Sequence, residues 1–144
     1  MSAKDNFFLY KYKELARDIT SLASPILLLF VPFIILGANS TYGFLLLLLL
    51  INEIIGSLIK YFFYKPLPDG QEYKGILEKI DAGSFPSLHA SRITIVYLTL
   101  FSYVTDIYIQ VALLFMMIAV MISRVLLKRH FITDIVGGFV IGAV

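Results

Sequence analysis

A chain of 144 residues that is 59% hydrophobic and 15% charged, with a net charge of +2 and a mean hydropathy of +0.86, lies outside the range of soluble domains, and its apolar residues come in blocks. It reads as an all-α integral membrane protein. The lack of cysteine excludes a disulfide framework, thiolate chemistry and cysteine-based metal sites.

In chain order, KDNFFLYKYKELARDI mixes aromatics with Lys4, Lys11, Lys13 and Arg17. This predicts an amphipathic helix at the membrane interface over about residues 1–20. It has no small-residue cleavage site, so it reads as an uncleaved anchor and not as a removed signal peptide. A bilayer core about 30 Å thick asks for about 20 apolar helical residues. By that ruler residues 21–37 make a first span, containing Pro25 and Pro32, and residues 41–64 a second, entered after the turn-like Ala-Asn-Ser. In the 65–87 loop, Tyr73, Ile76, Leu77 and Ile80 recur at helical spacing, and Gly83 is a stop signal. A short interfacial helix is expected there. Residues 88–104, 107–127 and 131–144 complete about five spans, the last only about 21 Å long at 1.5 Å per residue. No repeat or domain boundary interrupts the chain, which reads as a single membrane domain over residues 1–144.

Threading these spans across a bilayer brings the arm, the 65–87 loop and the 128–130 turn to one face, and 38–40 and 105–106 to the other. All twelve Lys and Arg residues lie on the first side or at its edge. The excess of positive charge predicts a multi-pass cell-membrane protein with that face in the cytoplasm. The arm's four positive charges carry this inference, since cations near a ligand site have chemical reasons to be there. The same threading lets KYFFYKPLPDG, SFPSLHASR and SRVLLKRHFITD converge at helix ends.

Each stretch has a chemical and a plain reading. His130 and Asp134, four apart, share a helix face if 130–144 is helical. The carboxylate would then accept from one ring nitrogen and leave the other as nucleophile or base. The run Arg124, Lys128, Arg129, His130 also suits simple anchoring to anionic headgroups, but that leaves Asp134 unexplained, because an unsupported carboxylate inside an apolar helix costs about 2.5 kcal/mol or more. Ser87 and His89 stand at the start of a helix, where free backbone N–H groups bind phosphate and a histidine can exchange a proton, though a serine cap and an ordinary histidine fit as well. Lys60 and Lys65 read either as anion ligands or as snorkelling lysines. Glu53, about two turns inside the second span, is a functional candidate or a structural partner of Arg92 or Lys60.

Together these stretches resemble the signature of the membrane type 2 phosphatidic acid phosphatase superfamily: K-x6-R-P, then P-S-G-H, then S-R-x5-H-x3-D. The third motif is complete as Ser123, Arg124, His130 and Asp134. The second is present as Pro86, Ser87 and His89, with Leu88 where glycine is usual. The first keeps Lys60 and Pro68 but has Leu67 in place of arginine. The resemblance covers roughly residues 55–140. Family members usually have a six-helix core, so one N-terminal span would be missing or replaced by the arm.

The resemblance implies a lipid phosphatase. His130 would attack phosphorus to form a phosphohistidine, Asp134 would fix its tautomer, and His89 would protonate the leaving group and then activate water. Lys60, Arg124, Ser87, Ser123 and the backbone N–H groups near Leu88 would hold the phosphoryl oxygens, and Lys65 would reach the oxygens that the missing arginine would have clamped. No metal, cofactor or nucleic-acid partner is implied, since two histidines cannot build a usual zinc site while filling these roles. The expected partners are the bilayer and a lipid phosphate or diphosphate. A headgroup phosphotransferase using the same chemistry, or a non-catalytic lipid-binding protein, are the alternatives.

Overall fold

The computed structural model describes residues 3–21, 24–68, 70 and 73–144; residues 69, 71 and 72 of the 65–87 loop lie outside it. Among the described residues there are seven helices and no strand: α1 (Ala3–Ser21), α2 (Pro25–Leu36), α3 (Ser40–Phe62), α4 (Ile76–Asp81), α5 (Leu88–Tyr103), α6 (Ile107–Leu126) and α7 (Ile132–Ala143). Their order follows that of the two expected short helices and the five expected apolar segments. Polar caps set the starts. Asn39 Oδ1 accepts the Tyr42 N–H at 2.9 Å, and Asp106 Oδ1 accepts those of Tyr108 and Ile109 at 2.8 and 3.1 Å, satisfying donors that have no partner within the helix.

α3 and α6 are each long and apolar enough to cross a membrane. Residues 11–21 of α1 and 26–36 of α2, bent by 52°, would add a third span if they act as one broken helix. α5 and α7, with 16 and 12 residues, fall short of that length. α1 forms as expected and also packs on α6, burying Ala16 and bringing Thr20 Oγ1 to 2.7 Å from Ser123 Oγ. On α3, Leu45, Leu49, Asn52, Gly56 and Lys60 face inward, while Leu47, Leu50, Ile54 and Leu58 are exposed. An outer face this apolar suits lipid, not water.

α5 is the hub, packed against α2, α3, α6 and α7, with Ile93, Val96 and Leu100 in a core completed by Leu45, Leu49, Leu113 and Val120. Lipid tails are as apolar as leucine, so close packing, not hydrophobicity, has to hold such helices together. At the α5–α7 crossing it does. A Cβ added to Gly138 would lie 2.3 Å from the Ser87 carbonyl oxygen, and one added to Gly142 would lie 2.5 Å from that of Ser91. Facing them, Ser91 and Thr94 turn their hydroxyls back to the Leu88 and Ala90 carbonyls, so small satisfied side chains allow near backbone contact.

Candidate active site

The three stretches meet, and backbone bonds hold them. Pro66 pairs with Gly83 in an isolated antiparallel bridge, the Ser84 N–H donates to the Lys65 carbonyl at 2.7 Å, and the Ser87 N–H donates to the Asp134 carbonyl at 3.0 Å. α6 ends with Lys128 in the left-handed region at φ 55°. There the Arg129 N–H reaches the Arg124 carbonyl and the Lys128 N–H the Val125 carbonyl, the Schellman arrangement that closes a helix. The chain is thereby turned so that His130 points inward.

His130 is 4% exposed, and its Nδ1 lies 2.8 Å from the Ser84 carbonyl oxygen. A carbonyl can only accept, so Nδ1 carries the proton and the lone pair is on Nε2. Burial, followed by the positive charges of Arg124 and Lys60, lowers the pKa of His130 from 6.5 to about 3. The ring is therefore neutral near pH 7, with Nε2 free to act as a nucleophile.

This corrects the expected role of Asp134. Its Oδ2 is 4.0 Å from His130 Nδ1, beyond hydrogen-bond distance. The physical reason is that α7 begins only at Ile132, so His130 stands in the preceding turn and the helical four-residue spacing does not apply. Asp134 instead accepts the Phe131 N–H at 2.8 Å through Oδ2 and the Lys65 ammonium through Oδ1. Lys65 is likewise not a free cation in place of the missing arginine: it also donates to Thr133 Oγ1 at 3.0 Å and lies 4.5 Å from the centre of the Phe131 ring.

Lys60 and Arg124 are buried or half-buried cations with no ion-pair partner among the described residues. Lys60 is 6% exposed, with Gly83 close against its side chain. Among the described residues, Arg124 Nε is buried without a hydrogen-bond partner, as is Ser84 Oγ. Buried donors of this kind are costly unless something accepts from them, and an anion would. His89, in the first turn of α5, lies in the electrostatic field of Arg124, Arg92, His130 and Lys60. Arg92 is matched, gripping Glu53 of α3 with Nε and Nη2, so Glu53 is a structural partner.

Ser87 caps α5, accepting the Ala90 N–H. The Ser123 hydroxyl donates to the Val120 carbonyl and meets Thr20 of α1, so it ties α1 to α6. Leu67 is buried. Leu88 does not fill the site either. Its Cδ2 sits where a Cβ on Gly56 would come within 2.3 Å, so its side chain lies in the notch of α3 one turn from Lys60. Sequence reasoning missed the Ser84 carbonyl, a main-chain group with no side-chain signature. It also missed Thr133 and the Gly56 notch. A cavity of about 500 Å³ opens beside His130, lined by Lys65, Pro68, Val125, Lys128, Phe131 and Thr133 among others. Among the described residues no cluster of three or more His, Cys, Asp or Glu side chains is placed to hold a metal ion.

Comparison with known proteins bears on both the helical bundle and the site. The family description "PAP2 superfamily" matches residues 41–144, which include all three motifs and α3 to α7. The chain belongs to that superfamily. The fold is similar to that in the "Crystal structure of the first transmembrane PAP2 type phosphatidylglycerolphosphate phosphatase from Bacillus subtilis", at 20% identity and a TM-score of 0.67, over 90% of this chain and 70% of that one. No curated protein matches the sequence.

Proposed function

We propose that this phosphatase hydrolyses a phosphate monoester or diphosphate of a membrane lipid, with His130 as the nucleophile. Nε2 of His130 attacks phosphorus and the bond to the lipid oxygen breaks, the leaving oxygen taking a proton from His89. Water then attacks the phosphohistidine, giving its proton to His89, and inorganic phosphate leaves as the Nε2–phosphorus bond breaks. Lys60, Arg124 and the N–H groups at the start of α5, with Ser87 as its cap, hold the phosphoryl oxygens, whose charge grows toward the transition state. The observation that carries this reading is the His130–Ser84 hydrogen bond. It fixes the tautomer of a buried neutral imidazole beside Lys60 and Arg124, which have no carboxylate partner among the described residues.

The deciding experiment measures phosphate release from several lipid phosphates by detergent-solubilised protein in EDTA, comparing wild type with His130→Ala. Release by the wild type and its loss in the variant are expected; equal release by both sinks the proposal. The chain crosses the bilayer several times with the site at the cytoplasmic face, as its distribution of Lys and Arg suggests. A thiol probe that cannot cross membranes should label Glu72→Cys in inverted vesicles and not in intact cells.

A further inference from the structure

Lys65 stands two residues before the position where the family motif has its phosphate-clamping arginine and lines the cavity beside His130. Its partners tell against that use. The Nζ is held by Asp134 Oδ1, by Thr133 Oγ1 and over the Phe131 ring, all within the five residues that follow His130. Asp134 is fully buried and is the keystone of that turn. Its side chain receives the Phe131 N–H and its carbonyl receives the N–H of Ser87, so one residue ties the nucleophile's turn to the start of α5.

From this geometry we infer that Lys65 is a positioning residue that acts through Asp134: the ion pair braces the 130–134 turn so that Nδ1 of His130 meets the Ser84 carbonyl, and Lys65 does not ligate the phosphate. A carboxylate buried at 0% exposure needs a cation at contact distance, and the one supplied here comes from the segment that the Pro66–Gly83 bridge and the Ser84 N–H bond also hold. Lys65, Ser84 and Asp134 thus form a closed frame around His130. The brace substitutes for nothing lost with arginine; the phosphate is left to Lys60, Arg124 and the α5 N-terminus.

The inference rests on the nucleophilic role proposed for His130, but its test does not rely on turnover alone. The chain has only two histidines, so nitrogen NMR of 15N-histidine-labelled protein in detergent, assigned with His89→Gln, reports the His130 tautomer directly. Wild type should show His130 as the single Nδ1–H form. Lys65→Ala and Asp134→Asn should each give a mixture of tautomers, and Lys65→Arg should restore the single form. Each of the first two should lower kcat at least tenfold, the double variant should be no slower than the slower single one, and the Kd for inorganic phosphate should stay within twofold. A tenfold weaker phosphate Kd in Lys65→Ala with an unchanged His130 tautomer would make Lys65 a phosphate ligand and overturn the inference. Losses that multiply in the double variant would overturn it too. Failure of the underlying reading shows separately, as undiminished turnover in His130→Ala.

Discussion

The two crossings that α5 makes beside the site are built on different principles. Against α7 it meets backbone: the carbonyls of Ser87 and Ser91 lie where side chains on Gly138 and Gly142 would have to be. Against α3 it meets side chains, with Leu88 lodged on Gly56 and Arg92 holding Glu53. The first crossing carries the turn that holds His130 and has no slack, whereas in the second a change on one helix can be answered on the other. This difference matches where the α5 start departs from the family pattern. The third motif, on the rigid side, is complete, while Leu88 falls on the adaptable side.

Gly138→Ala tests the rigid side and should have the largest effect. The new methyl meets the Ser87 carbonyl at 2.3 Å, which no rotamer change relieves, so α5 and α7 must part. We expect a cost of about 3 kcal/mol, at the upper end for overpacking, seen as a lower unfolding temperature in detergent together with loss of phosphate release. A variant as stable and active as wild type would show that the crossing has slack.

His130 supplies the next effect, because the rigid side keeps it buried and neutral. Its folded pKa of about 3 lies below the unfolded 6.5. Between these values the unfolded chain binds more protons, so stability is full above pH 6.5 and is lost as pH falls toward 3. At pH 5, one and a half units below 6.5, the loss is about 2 kcal/mol. His130→Gln should flatten this part of the stability curve. An unchanged slope in that variant would assign the acid sensitivity elsewhere.

Gly56→Ala tests the adaptable side. Its methyl meets only the far end of Leu88, a side chain that can turn, so the expected cost is about 1 kcal/mol, at the lower end for overpacking, with activity reduced as Lys60 shifts against the start of α5. Adding Leu88→Ala should restore both. Failure of the pair to recover would mean that Leu88 does more than fill the notch.

Much of the fold was legible because apolar run length and helical spacing are side-chain properties: the helices fell where apolar runs, caps and Gly83 put them. The convergence of the motifs followed from threading alone. What escaped was set by main chain and by absent atoms. The carbonyl that orients His130 belongs to Ser84, whose side chain gives no hint of it, and the partner of Leu88 is a hydrogen atom on Gly56. The pairing of Asp134 was misjudged because four-residue spacing implies a shared helix, and the helix starts two residues too late. Lys65 was placed near the correct neighbours with the wrong partner, since sequence supplies the charge but not which carboxylate is buried.

The smallest expected effect comes from the turn between the two regimes. Lys128 adopts φ 55°, in the left-handed region where Cβ crowds the following carbonyl at about 1–2 kcal/mol for an L-residue. The geometry is imposed by the Schellman bonds from Lys128 and Arg129, which must form if His130 is to turn inward. Glycine adopts this conformation without crowding, although it gives up more freedom on folding. Lys128→Gly should therefore raise stability by about 1 kcal/mol, measured as a higher unfolding temperature in detergent. If it lowers stability instead, the exposed lysine contributes through its charge more than its backbone costs, and the turn is held by electrostatics as well as by its cap.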